Sequence, residues 1–213
     1  LAHPDGQRFI TGGDKKFYIH KIDNGRLVQL SQNPQPHGLG TFWIHPKGNR
    51  LITTQGNPGN PDESATVQWF SIRGNKIEHL SEVTVAPGVP TKITEASFIL
   101  RVSPDGTIAL ICQRSLGNGI DHSDILIADL TLEKPVINAV VKQVSDGSES
   151  FAFHPNGKMA VATALNRDHN CIVVLDIASN PPRLLYTLDA KGMSQGIEFT
   201  PEGDKLVVGS PIA

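Results

Sequence analysis

The side chains in this sequence that could carry chemistry form a sparse set: Glu149, the run Asp121-His122-Ser123-Asp124, Arg114, His37, Arg167, His169 and Gln195. A carboxylate such as Glu149 can act as a general base or bind a hard cation through oxygen. His122 between two aspartates offers an acid-base or metal-binding group. Each has a plainer reading. Glu149 caps the turn begun by Asp146-Gly147, and loops rich in Asp, Ser and His are commonly just solvated. The sequence has no Gly-x-Ser-x-Gly elbow, no His-Glu-x-x-His, no phosphate-binding glycine loop and no dinucleotide fingerprint. That weakens a serine-hydrolase reading. It leaves open metal-assisted or acid-base hydrolysis, which needs no local signature.

Composition bounds what could position these groups. The 213 residues carry 19 Lys+Arg against 21 Asp+Glu, a formal charge of −2, which removes the electrostatic footprint of a nucleic-acid binder. No apolar run approaches the ~20 residues of a membrane helix. The start, Leu1-Ala2-His3-Pro4-Asp5, lacks both Met and the pattern of a secretory leader, and reads as beginning in mid-structure. Cys112 and Cys171 lack metal-ligand spacing and read as buried free thiols. Twenty glycines and 15 prolines argue for many short elements separated by turns rather than long helices.

The turns repeat. Ala2-His3-Pro4-Asp5-Gly6, Ile44-His45-Pro46-Lys47-Gly48, Val102-Ser103-Pro104-Asp105-Gly106, Phe153-His154-Pro155-Asn156-Gly157 and Phe199-Thr200-Pro201-Glu202-Gly203 share one pattern, their prolines 42, 58, 51 and 46 residues apart. Pro presets φ for a tight turn and Gly supplies φ > 0. Each turn leads into a short apolar run such as Ile108-Ala109-Leu110-Ile111. In four copies a third strand follows, as in Ile172-Val173-Val174-Leu175, and then a weaker fourth, as in Arg183-Leu184-Leu185-Tyr186. Four antiparallel strands every 40 to 60 residues is the period of a β-propeller blade. The expectation is an all-β chain: a single propeller segment over residues 1–213, a partial ring of about four to five blades from a longer chain, with further blades elsewhere in the same polypeptide. A closed ring of six to eight blades needs about 300 to 400 residues, and an isolated arc leaves sheet edges uncovered.

The units Ser103-Pro104-Asp105-Gly106-Thr107-Ile108-Ala109-Leu110 and Phe151-Ala152-Phe153-His154-Pro155-Asn156-Gly157-Lys158-Met159-Ala160-Val161-Ala162 resemble blades of the bacterial lactonase-like and surface-layer YVTN-type propellers. Through Asp129-Leu130 and Asp176-Ile177 the chain is also similar, less closely, to WD-repeat blades. The likeness covers nearly the whole chain, but its motifs specify turns and strands. The YVTN signature is replaced by Ile52-Thr53-Thr54-Gln55, Ile111-Cys112-Gln113-Arg114 and Val161-Ala162-Thr163-Ala164, and the Gly-His dipeptide of WD-repeats is missing. The resemblance implies a propeller, and leans toward a periplasmic or extracytoplasmic setting that the residues themselves do not fix. A fold shared by unrelated activities does not choose between them.

Topology then sets the site. The Pro-x-Gly turns are short and uniform and read as scaffold. The opposite face carries loops of varied length: Gln55 to Ser64, Arg114 to His122 and Leu165 to Asn170, with the blade connections Gln35-Pro36-His37, Val85 to Ala96 and Ser145 to Ser150. His37, Arg114, Asp121, His122, Glu149, Arg167, His169 and Gln195 gather there as candidate ligand-binding residues. Aligning the prolines puts Gly40, Phe98, Glu149 and Gln195 at one position near a channel mouth. Arg101 and Glu198 share another position, three residues before the proline, and read as structural polar contacts. His3, His45 and His154 read as hydrogen-bonding their own turns, and Trp43 and Trp69 as packing between blades.

Two functions fit. The first is a rigid scaffold that binds a protein or small-molecule ligand on the variable face and needs no cofactor. The alternative is a lactonase-like hydrolase that opens a cyclic ester with Glu149 and His122, with or without a divalent cation.

Overall fold

The short apolar runs become strands, and every strand pairs antiparallel with its sequence neighbour within its sheet. The structure is a computed structural model that describes residues 1–13, 15–35, 41–55, 66–84, 98–117, 120–145, 150–165, 170–190 and 196–209. Its first sheet contains β1 (Arg8–Gly13), β2 (Lys16–Asp23) and β3 (Arg26–Pro34), with a remnant of an inner strand in the bridge Ala2 to Phe9. Three four-stranded sheets follow. They are β4 (Phe42–Ile44), β5 (Arg50–Gln55), β6 (Thr66–Arg73) and β7 (Lys76–Thr84); β8 (Phe98–Val102), β9 (Ile108–Gly117), β10 (Ile120–Asp129) and β11 (Val136–Ser145); and β12 (Phe151–Phe153), β13 (Met159–Leu165), β14 (Asn170–Asp176) and β15 (Arg183–Ala190). The last sheet holds β16 (Gly196–Phe199) and β17 (Leu206–Gly209). These are propeller blades, and no helix occurs among the described residues.

Each third strand meets the fourth across a β-bulge, and the register shifts at one repeated place: between Ile19 and His20, Trp69 and Phe70, Ile127 and Ala128, and Val174 and Leu175. A bulge there raises the local right-handed twist, which turns each blade's outer edge away from its inner one. The fourth strand is the least buried, and every residue of β15 but the last is exposed.

The core lies between blades. Along β9, Ala109 and Ile111 face back onto Ile52, Val67 and Trp69 of the second blade, while Leu110 and Cys112 face forward onto Phe151, Ala162 and Val173 of the fourth. A blade flanked on both sides is apolar on both faces, which is why Ile108-Ala109-Leu110-Ile111 reads as a continuous run rather than an alternation. Neither cysteine forms a disulfide and both are buried, and burial, joined by the charge of Asp189, pushes the Cys171 thiol up from its ordinary range.

The turns do more than reverse the chain. In all five the glycine N–H donates to the carbonyl of the residue before proline at 2.7–3.0 Å, and the glycine φ lies between 69° and 78°. The histidines use both ring nitrogens. Nδ1 of His3, His45 and His154 accepts from the backbone N–H two residues on, at 3.1–3.2 Å, so the proton sits on Nε2. That Nε2–H donates to the turn glycine carbonyl of the next blade: His3 to Gly48 at 2.8 Å, His45 to Gly106 at 2.8 Å, and His154 to Gly203 at 3.1 Å. The expected hydrogen bonding of the histidines to their own turns is thus present, Ser103 and Thr200 do the same in the other two turns, and the inter-blade bond is an addition that the histidines alone make. Arg8 and Arg50 add a second clamp at the first two junctions, Arg8 donating to Gly74 O and Arg50 to Leu130 O and Leu132 O at 3.0 and 2.7 Å.

The third-to-fourth junction has neither clamp, because Ser103 and Ile108 replace His and Arg. Instead it has the largest apolar cluster, 13 buried residues against 10, 8 and 5 at the other described junctions. The glycines record the same difference. A Cβ on Gly106 would stand 2.2 Å from His45 Nε2, whereas one on Gly157, which no histidine covers, would meet nothing within 4 Å.

Two outcomes follow from the latches. Gly157→Ala should destabilise by about 1 kcal/mol through its left-handed φ alone, and Gly106→Ala by a further 1–3 kcal/mol, roughly, because it also displaces a buried hydrogen-bonded imidazole. Equal urea midpoints for the two variants would contradict the latch. Burial, with the nearby Arg50 and Lys47 charges, holds His45 below the ordinary imidazole range, against the pull of the Gly106 carbonyl and Asp105. The unfolded chain then protonates first, so stability is complete above about pH 6.5 and declines as pH falls below it. Urea midpoints measured down to about pH 5 should fall less steeply for His45→Ala than for the parent.

Candidate functional site

Two ends of the blades offer different chemistry. At the variable end, the segment Arg114 to His122, expected as a loop, is mostly strand. The β9–β10 ladder runs through Arg114 opposite Ser123, Ser115 opposite His122 and Leu116 opposite Asp121, to Gly117 opposite Ile120. Only residues 118–119 lie between the two strands. The correction has a local cause: Ser115-Leu116-Gly117 and Ile120-Asp121-His122 contain no proline, and Gly117-Asn118-Gly119 suits a two-residue hairpin connection. Both strands have ten residues, against six to eight in the equivalent pairs of the other blades. Four pairs continue past Phe98, the first residue of β8, a reach of about 14 Å at 3.4 Å per residue.

Arg114, Asp121 and His122 are thus placed by register on one two-stranded ribbon, with their description ending at the backbone. His37, Glu149, Arg167, His169 and Gln195 lie outside the described residues. Asp124, on the same strand, is partly buried and engaged. Asp129 and Asp176, the WD-like positions, act locally: Asp129 accepts from Thr131 N and Oγ1 at 2.8 and 2.6 Å, and Asp176 from Ala178 N and Ser179 N at 3.1 and 3.0 Å. They close the turns after the third strands. No group of three His, Cys, Asp or Glu suited to a metal occurs among the described residues.

At the other end, a cavity of about 160 Å³ opens among the innermost strands near the Pro-x-Gly turns. Trp43, Arg101, Ala152 and Glu198 come to it from four successive blades in one register, paired with Ile52, Leu110, Val161 and Val207. Val102, Phe151 and Phe153 give it an apolar floor. The Arg101 guanidinium lies 5.0 Å from the Trp43 ring centre, a cation–π contact. Arg101 and Glu198 were expected as structural polar contacts and Trp43 as packing. Trp69 is fully buried between blades, as expected, but Trp43 only half packs there and also walls the channel. The sequence did carry a signal: three before the last four turn prolines stand Trp, Arg, Ala and Glu, where the flanking positions are apolar throughout.

No protein-family model and no curated protein sequence matches the chain. Solved structures do. Hydrazine synthase of Kuenenia stuttgartiensis superposes with a TM-score of 0.68 at 16% identity, over 98% of this chain and 66% of that one. The periplasmic gluconolactonase PpgL of Pseudomonas aeruginosa gives 0.65 at 18%, over 89% and 53%. The Cps50 (Swd1) β-propeller domain of Myceliophteria thermophila gives 0.65 at 13%, over 96% and 63%. The chain thus spans under two thirds of the length of these structures. At such identities the likeness establishes the fold: this is a β-propeller of four-stranded blades, an architecture that lactonases and WD-repeat scaffolds share.

Proposed function

We propose that the protein is a rigid binding propeller that recognises a protein or small-molecule ligand on its variable face, with the β9–β10 ribbon as the principal contact. The observation that carries this reading is the ribbon itself: a hydrogen-bonded ladder, rather than a loop, holds Arg114, Asp121 and His122 beyond the inner strand. A preformed platform loses little conformational freedom on binding, which is the usual advantage of a rigid scaffold. The opposite face has its turn residues engaged in holding blades together, and this reading assigns the principal partner contact to the face whose loops differ in length. His37, Glu149, Arg167, His169 and Gln195 belong to the same surface in this reading.

A second reading takes its substrate class from the gluconolactonase among the similar structures. In it Glu149 is the base, His122 assists, and a divalent cation is optional.

One comparison separates them. Arg114→Ala/His122→Ala and, as a control on the turn face, Lys47→Ala/Glu202→Ala are each assayed for capture of partners from source-cell extract and for opening of glucono-δ-lactone. The scaffold reading expects capture of a defined partner by the parent and the turn-face control and at least about tenfold weaker capture by the ribbon variant, with urea midpoints measured on all three and expected to be equal so that lost contact is separated from lost folding. Undiminished capture by the ribbon variant would overturn it. Lactone opening that Glu149→Gln abolishes would replace it with the hydrolase.

A further inference from the structure

We propose that the turn-side end of the channel is a second ligand site, independent of the variable face, which takes a small zwitterion: a molecule with a carboxylate and an ammonium group on a short apolar frame. The carboxylate pairs with Arg101 and the ammonium with Glu198. Arg101 is half-buried and fixed against Trp43, yet it has no ion pair or hydrogen bond to another described residue. A guanidinium partly shielded from water and lacking a counter-charge is a ready carboxylate receptor, because the fork is already oriented and its hydration already reduced. Glu198, two blades on, is exposed and likewise has no partner among the described residues.

Ala152 stands in the same register on the blade between the two charges and also lines the cavity, an apolar residue that offers neither charge a partner. The cavity's 160 Å³ corresponds to about five waters at ~30 Å³ each, so the ligand is compact. Trp43, Val102, Phe151 and Phe153 line the same cavity and favour a short aliphatic side chain over a polar one. A plain anion would meet Glu198 and a plain cation would meet Arg101. Only a molecule with both charges is matched at each end.

The test titrates the folded protein with L-alanine, following indole emission and heat, with propionate and ethylamine as probes that carry one charge each. The site predicts saturable binding of alanine and at least about tenfold weaker binding of either control. Arg101→Gln and Glu198→Gln should each weaken alanine by at least about tenfold, while Arg114→Ala/His122→Ala leaves it unchanged. Glu198 is exposed, so its variant keeps the test valid even where Arg101→Gln perturbs folding. The proposal is overturned by an absence of saturable binding, by propionate binding as tightly as alanine, by alanine affinity that ignores Glu198→Gln, or by loss of binding in the ribbon variant. None of these outcomes bears on whether the variable face binds a partner.

Discussion

The structure depends on a glycine held in the left-handed region beneath its neighbour's imidazole. Positive φ closes each Pro-x-Gly turn, and the missing Cβ leaves the space that the preceding blade's histidine occupies in three of the five turns. One small residue thereby does two jobs, reversing the chain and admitting a buried hydrogen bond between blades. Because Nδ1 accepts within its own turn and Nε2–H donates to the next, the imidazole ties local geometry to quaternary-like packing of one blade on another. Protonation of His45 would put a hydrogen on Nδ1 where the Lys47 N–H already points, so the local half of this latch needs the neutral ring even though Nε2–H could still reach the Gly106 carbonyl.

Where the latch is missing, apolar burial takes over. The third-to-fourth junction, with Ser103 and Ile108 in place of His and Arg, has the most buried apolar residues of any described junction. The two means of joining blades differ in reach. The latches act at the turn end, whereas the apolar cluster extends along the strands from Leu110 and Ile125 to Ala164 and Cys171. Blade packing of either kind fixes the innermost strands in a common register, and that register is what assembles Trp43, Arg101, Ala152 and Glu198 around one space.

Much of this fold could be read in the sequence, since turn chemistry and short apolar runs are local signals. The five glycines, the strand after each turn and the third and fourth strands all fall where those signals put them. The latch was not legible, because the partner of His45 is a carbonyl 61 residues away, and its identity depends on which turn the packing of blade on blade places alongside. The ribbon was missed for a different reason: Arg114 to His122 is polar and rich in Gly, which reads as loop, while a ladder of backbone hydrogen bonds is indifferent to side-chain polarity. The channel position was visible as a column of unlike residues, but the cation–π geometry that makes Arg101 available to a ligand exists only once Trp43 is beside it.

Heteronuclear NMR correlation of the imidazole nitrogens tests the central claim most directly. The account predicts that His3, His45 and His154 are locked at neutral pH in the Nε2–H tautomer, with Nδ1 a bare acceptor, and that their Nε2 protons exchange slowly with water. His20 and His79, which take no part in any turn latch, serve as internal references. Averaged tautomers with fast-exchanging protons at the three turn histidines, or the Nδ1–H tautomer, would mean that the blades are held together without them.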